Sequence, residues 1–181
     1  IIWLAGLNIK YFVYSGLLLI VSLPFAVSLL KPYQKSRILT FFNPDRDPLG
    51  AGYQIIQSKI AIGSGGFFGK GFLKGTQSYL EFLPEKHTDF IFTLFSEEFG
   101  FLGSIMLLLL YILLIYRIIS IGFYAKSFFS KLFCFGFASA IFLYIFVNIS
   151  MVLGLLPIVG APLPIMSYGG SSMLSIMLGL S

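Results

Sequence analysis

Three long stretches of this chain carry no charged side chain at all: Tyr11 to Leu30, Phe99 to Tyr116 and Leu132 to Leu156. A helix needs about 20 apolar residues to cross a bilayer core roughly 30 Å thick. Lipid offers no partner to a backbone N–H or C=O, so a segment of this kind satisfies itself by forming a helix. Composition points the same way. Charged residues make up 10% of the 181 positions and hydrophobic ones 57%, where a soluble domain carries about 25% charge. A mean hydropathy of +0.94 excludes a water-soluble globular enzyme, and so little charge excludes a disordered chain. One Cys and one His exclude an internal disulfide and a structural zinc site. The expected fold is all-α, a polytopic transmembrane helix bundle.

The apolar scrap Ile1 to Leu7 is too short to span, and Met173 to Ser181 reads as the first half of another helix. With no initiating Met and no signal-peptide layout, we expect one membrane domain over 1–181, part of a larger bundle, with three full spans and one or two partial ones. Pro24 lies inside the first stretch, where a kink or an unwound turn is expected. The connector Arg117 to Lys131 holds three basic residues and no acid. Short basic loops stay in the cytoplasm, and Lys10 flanks the first span on the same side. By that rule the segment 31–98 and the uncharged turn Pro157 to Gly170 lie on the outer face. Segment 31–98 holds all seven acids and eight of the twelve basic residues. A long polar loop in so apolar a chain is where chemistry is expected.

Within that loop, Asn43 to Pro48 is turn chemistry. Tyr53, Ile56 and Ile60 fall at helical spacing, which fits an amphipathic helix on the membrane surface or a plain helix covering the bundle. The run Gly63-Ser64-Gly65-Gly66-Phe67-Phe68-Gly69-Lys70-Gly71 is no P-loop: Ser64 stands where the first Gly is required, and Gly71 where Ser or Thr is. Glycines let backbone N–H groups approach an anion, and Lys70 and Lys74 add charge, so a pyrophosphate headgroup is one expected guest. A flexible loop with solvated lysines is the other reading. Leu83 to Asp89 is denser. Pro84 suits a helix first turn and Glu85 its dipole. A helix running on from there would place Glu85, Asp89 and Thr93 on one face, with Asp89 beside Lys86 and His87 at the outer boundary. A carboxylate there is either functional or half of a structural pair with Lys86. Glu97 and Glu98, being adjacent, point to different faces. One of them could hold a cation or a lysine, and a solvated helix surface is the plainer reading. Asn148 reads as an interhelical hydrogen bond. The non-helical turn made by Pro157, Gly160, Pro162, Pro164 and Ser167-Tyr168-Gly169-Gly170-Ser171-Ser172 is expected to wall the same outer cavity as Asp89, since non-helical backbone at that depth must line a cavity or be buried.

The motifs Gly75-Thr76-Gln77-Ser78, Glu81 through Phe92 and Glu97-Glu98-Phe99-Gly100-Phe101 resemble the SEDS family (shape, elongation, division and sporulation). Asp47-Pro48, Gly52-Tyr53-Gln54, Ala61 through Gly66 and Leu156-Pro157 through Ser171 resemble it too. Gly-Thr-Gln-Ser and Glu-Phe-Leu-Pro-Glu-Lys-His are most like its rod-shape branch. The division branch would have Ala where Lys86 stands, and the usual rod-shape residue is Arg. The resemblance implies a ten-helix protein of which this is the C-terminal half, acting as a peptidoglycan glycosyltransferase. It would polymerise lipid II, release undecaprenyl pyrophosphate and work beside a class B penicillin-binding protein in the bacterial cytoplasmic membrane. It implies Asp89 as the catalytic residue, with Gln77, Ser78, Glu85, Lys86, His87, Thr88, Ser167 and Tyr168 as substrate-binding candidates beside Lys70 and Lys74. Mg²⁺ or Mn²⁺ is an expected aid at the pyrophosphate, of unknown ligands, with no organic cofactor and no nucleic acid. The rival expectations are a lipid II flippase and a non-catalytic scaffold.

Overall fold

In the computed structural model, residues 8–29, 31–43, 50–75 and 88–180 are described. The apolar stretches become helices. α1 (Ile9–Leu29) is helical through Pro24. α4 (Ile91–Tyr124) and α5 (Phe128–Val152) follow the second and third stretches, and α6 (Gly170–Leu180) begins the fourth. The basic connector is mostly helix, since only residues 125–127 separate α4 from α5. Between α1 and α4 the long loop contributes α2 (Pro32–Phe42) and α3 (Ala51–Gly65). Pro32 opens α2, where its missing N–H removes no helical bond, and the Gln34 side chain accepts from Lys31 N at 3.0 Å. Among the described residues there is no strand, and α4 and α5 are the two helices long and apolar enough to cross a membrane. Their outer surfaces agree: Leu109, Leu110, Ile112, Leu113, Phe142 and Leu143 are all exposed. So many apolar side chains facing outward suit lipid rather than water.

The core lies where α3, α4 and α5 meet. Phe90, Phe92, Tyr111, Ile118, Ala138, Ile141, Ile145, Met151 and Val152 pack there, joined by Ile55 and by Ile158 and Leu163 from the turn after α5. α3 lies against α4 through Gly52, Ile55, Ser58, Ala61 and Gly65, a buried stripe of mainly small residues. The larger Ile56 and Ile60 are exposed. The sequence pattern thus located the helix; Ile56 and Ile60 lie off the contact with α4, which is made by small side chains that let two backbones approach closely. At the centre of the contact, the Ser58 hydroxyl donates to Val152 O at 2.8 Å and lies 2.8 Å from the Thr93 hydroxyl.

α4 is opened at Gly100, whose φ of 68° and ψ of −163° no helix contains. An unbroken helix would pair Phe101 N–H with the Glu97 carbonyl and Leu102 N–H with that of Glu98. Here all four groups bond to the glycine-rich loop. Lys70 N donates to Glu97 O at 3.1 Å and Gly71 N to Glu98 O at 3.0 Å; Phe101 N donates to Gly66 O at 2.9 Å and Leu102 N to Phe67 O at 3.2 Å. The fit is close enough that a Cβ at Gly69 would sit 2.1 Å from Glu98 O, and one at Gly100 2.3 Å from Gly69 N. Gly65, Gly69 and Gly100 are therefore accounted for by the close approach of this splice into α4. Glu97 is wholly buried within it and receives Lys70 Nζ at 2.7 Å. This replaces the solvated-surface reading of Glu97 with the lysine-pair one.

Candidate active site

The α4 helix starts at Ile91, so Asp89 lies in the preceding turn and not on a shared helical face with Thr93, which is buried against Ser58. What holds the turn is the backbone of residues 88 and 89. Ser167 Oγ donates to Thr88 O at 2.6 Å while accepting from Leu163 N at 2.6 Å. Asn148 Nδ2 donates to Asp89 O at 2.8 Å and to Ala161 O at 2.6 Å. Tyr111 adds a bond from its hydroxyl to Pro164 O at 2.6 Å. These bonds join the Asp89 turn to the non-helical segment after α5, in which Ile165 adopts a left-handed conformation, φ 68°. A β-branched residue there costs on the order of 1–3 kcal/mol and persists only where its surroundings over-determine it.

A cavity of about 540 Å³ opens between the two segments, lined by Thr88, Asp89 and Phe90 on one side and by Ile158, Gly160, Pro162, Tyr168 and Gly169 on the other, with Gln54 of α3 and Ser171 and Ser172 of α6. Gly160 faces the carboxylate: a Cβ there would lie 3.4 Å from Asp89 Oδ2. The lining mixes a carboxylate, an amide and hydroxyls with apolar walls, as sites for polar ligands do. A second, more apolar cavity of about 650 Å³ shares Tyr168 and Gly169 with it and is lined further by Ile91, Ile165, Met166, Ser167, Gly170 and Met173.

Of the residues singled out in the sequence, Thr88, Asp89 and Tyr168 line the polar cavity, and Ser167 lies buried behind it. Lys70 is paired with Glu97, and Lys74 is exposed. Neither is among the described lining residues. Gln77, Ser78, Glu85, Lys86 and His87 lie outside the described residues. Ser171 and Ser172 belong to the turn expected to wall this cavity and do line it, though from the first turn of α6 rather than from non-helical backbone. Gln54 is the lining residue that the sequence does not place in the site: it sits in a quoted motif, but no local pattern brings α3 to this cavity. Asn148 was recognised as a hydrogen-bonding residue, though not as one that holds Asp89. Among the described residues no three His, Cys, Asp or Glu side chains come together.

Comparison with known proteins identifies the family. The chain is 56% identical over 151 residues to the peptidoglycan glycosyltransferase MrdB of Escherichia coli (strain K12), covering 83% of this chain and 41% of that protein. It is 47% identical to the peptidoglycan glycosyltransferase RodA of Treponema pallidum, covering 84% of this chain and 35% of the relative. To the stage V sporulation protein E of Bacillus subtilis it is 44% identical, covering 98% and 48%. The chain thus spans less than half the length of these relatives. Among solved structures, it matches a chain reported under "Structural coordination of polymerization and crosslinking by a peptidoglycan synthase complex" with a TM-score of 0.72 and 38% identity, over 94% of this chain and 46% of that one. The cell cycle protein family model FtsW/RodA/SpoVE matches residues 1–181. This integral membrane chain therefore belongs to the FtsW/RodA/SpoVE family, also called SEDS.

Proposed function

We propose that this chain carries the active site of a peptidoglycan glycosyltransferase, which polymerises lipid II into glycan strands during cell-wall elongation and rod-shape maintenance. The supporting observation is the placement of Asp89 in a polar cavity walled by two non-helical segments. Joining two sugars requires the acceptor 4-hydroxyl to lose a proton as its oxygen attacks C1 of the donor. The C1–O bond to the pyrophosphate breaks, and undecaprenyl pyrophosphate leaves with the electron pair. Asp89 acts as the base that takes the proton. A positioned carboxylate contributes roughly 10²–10⁴-fold. Tyr168 and Thr88 border the same cavity and orient sugar hydroxyls. Lys74, exposed, and Lys86 are the cations for the pyrophosphate. Lys70 is already engaged by Glu97, which moves it behind them. Mg²⁺ or Mn²⁺ would neutralise the leaving group, but Asp89 is the single carboxylate of the described lining, so the ion is assigned to the pyrophosphate and no step is routed through it. The segment 31–98 lies on the outer face of the cytoplasmic membrane, and a class B penicillin-binding protein supplies crosslinking.

The test uses the full-length protein with its penicillin-binding partner, made unable to crosslink, and fluorescent lipid II. The native complex is expected to form glycan strands, and Asp89→Asn to lose roughly 10²-fold or more of that rate. Equal strand formation by both would remove Asp89 from the chemistry. A folded native complex that forms none would bring forward the flippase or the scaffold.

A further inference from the structure

We infer that Asn148 and Ser167 are positioning residues that hold the carbonyls of Thr88 and Asp89 and thereby aim the Asp89 carboxylate across the cavity. The inference rests on the glycosyltransferase reading above for its chemical consequence, but not for its geometry. Residues 88 and 89 precede the N-cap Phe90, whose carbonyl takes the first-turn amides of Thr93 and Leu94, so their own carbonyls must find partners elsewhere. Here each is taken by a side-chain donor from a different element. Asn148 comes from within α5 and has no exposed surface, and its Nδ2 bonds both run to carbonyls. That fixes which end of its amide points to the turn, because only the NH₂ end can donate. The same two hydrogens bridge Asp89 to Ala161, which lies between the lining residues Gly160 and Pro162, so one amide sets the separation of the two walls. Ser167 is 5% exposed and works the same way on residue 88, with its acceptor side held by Leu163 N. Neither side chain is among those lining the polar cavity, although Ser167 borders the more apolar one, and the hydroxyl of Ser167 is already engaged by Thr88 O and Leu163 N, so neither is assigned contact with the reacting sugars. Their effect passes through the backbone to the Cα of Asp89, where an error of about 1 Å in a reacting group lowers a rate by roughly 10²-fold.

The experiment compares Ser167→Ala, Ser167→Thr, Asn148→Leu and Ser58→Ala in the full-length protein with its partner. Ser58→Ala is the control: it removes a buried hydroxyl of the same bundle that bonds Thr93 and Val152 but not the turn. Two quantities are read. One is strand formation, separated into kcat and KM for lipid II. The other is the rate at which a water-soluble carbodiimide modifies Asp89, followed by mass spectrometry, which reports the carboxylate's setting whether or not the protein is active. Ser167→Ala and Asn148→Leu are expected to alter the labelling rate of Asp89 and to lower kcat by roughly 10–10²-fold, leaving KM nearly unchanged. Ser167→Thr, which keeps the hydroxyl, is expected to restore both. Ser58→Ala should leave both near the native values even if its thermal unfolding falls as far. Unchanged Asp89 labelling in Ser167→Ala and Asn148→Leu overturns the inference, whatever the polymer yield. A kcat loss that tracks thermal stability across all four variants overturns it as well. Altered labelling with undiminished strand formation would uphold the clamp and count instead against Asp89 as the base.

Discussion

Glu97 shows how a single side chain is tolerated in so apolar a helix. Its carboxylate is fully buried near the start of α4, with Lys70 Nζ 2.7 Å away and 26% of the lysine side chain still exposed. A buried charge of this kind is costly unless paired, and removing one partner of such a pair usually costs about 3–5 kcal/mol. Lys70→Met is therefore expected to lower the thermal unfolding temperature of the detergent-solubilised protein sharply. Replacing both residues, as Lys70→Met with Glu97→Leu, should recover much of the loss, since well-packed apolar residues replace buried ion pairs at little cost. A double variant no more stable than Lys70→Met would show that Glu97 is not held by the lysine. The acids Glu97 and Glu98 look alike in sequence, and adjacency correctly told that they face different ways. It could not tell that one face was the interior, because the burying partner is the glycine-rich loop some 30 residues upstream.

At the scale of elements, the splice between that loop and α4 makes a prediction with two signs. Gly69→Ala and Gly100→Ala each put a Cβ within 2.3 Å of backbone, at φ values of 81° and 68°, and strain at such positions costs on the order of 1–3 kcal/mol before any displacement is counted. Gly63, in α3, has nothing within 4 Å of its own Cβ position. Gly63→Ala is expected to stabilise by about 0.4–1 kcal/mol, chiefly by restricting the unfolded chain. Thermal unfolding of the three variants side by side checks the signs. An equal loss from Gly63→Ala would mean the glycines serve helix flexibility rather than close approach. The helices themselves were legible, because charge-free stretches of that length leave little alternative. So was the role of the Pro157–Gly170 turn, whose prolines and glycines forbid a helix where the chain must still line something. The splice was not legible. Its bonds run from backbone to backbone, and a carbonyl carries no signature of its future partner. The Asp89 turn was misjudged by one local step: Pro84 and Glu85 argued for a helix already running at residue 89, whereas the described helix begins at Ile91.

For the molecule as a whole, length and charge set the arrangement in the bilayer. α4 has 34 residues and is about 50 Å long at 1.5 Å per residue, more than a core of about 30 Å requires. Its basic end, Arg117, and Lys126 and Lys131 beyond it fall on one side, and the Asp89 cavity falls near the other end. In a cysteine-free background, Lys74→Cys is expected to react with a membrane-impermeant maleimide in intact cells, and Lys126→Cys only after the membrane is opened. Reaction of Lys126→Cys in intact cells would invert the topology and place the cavity on the cytoplasmic side. The opened backbone at Gly100 also bears on how such a molecule is assembled. A span entering the membrane by itself can satisfy its own amides only as an uninterrupted helix, and residues 97–102 have no other recourse until residues 66–71 arrive beside them. The break is therefore expected to form late, when the glycine-rich loop docks against α4. A nascent protein in which that docking fails would carry a straight span and an unanchored loop, a difference that quality-control proteases could read.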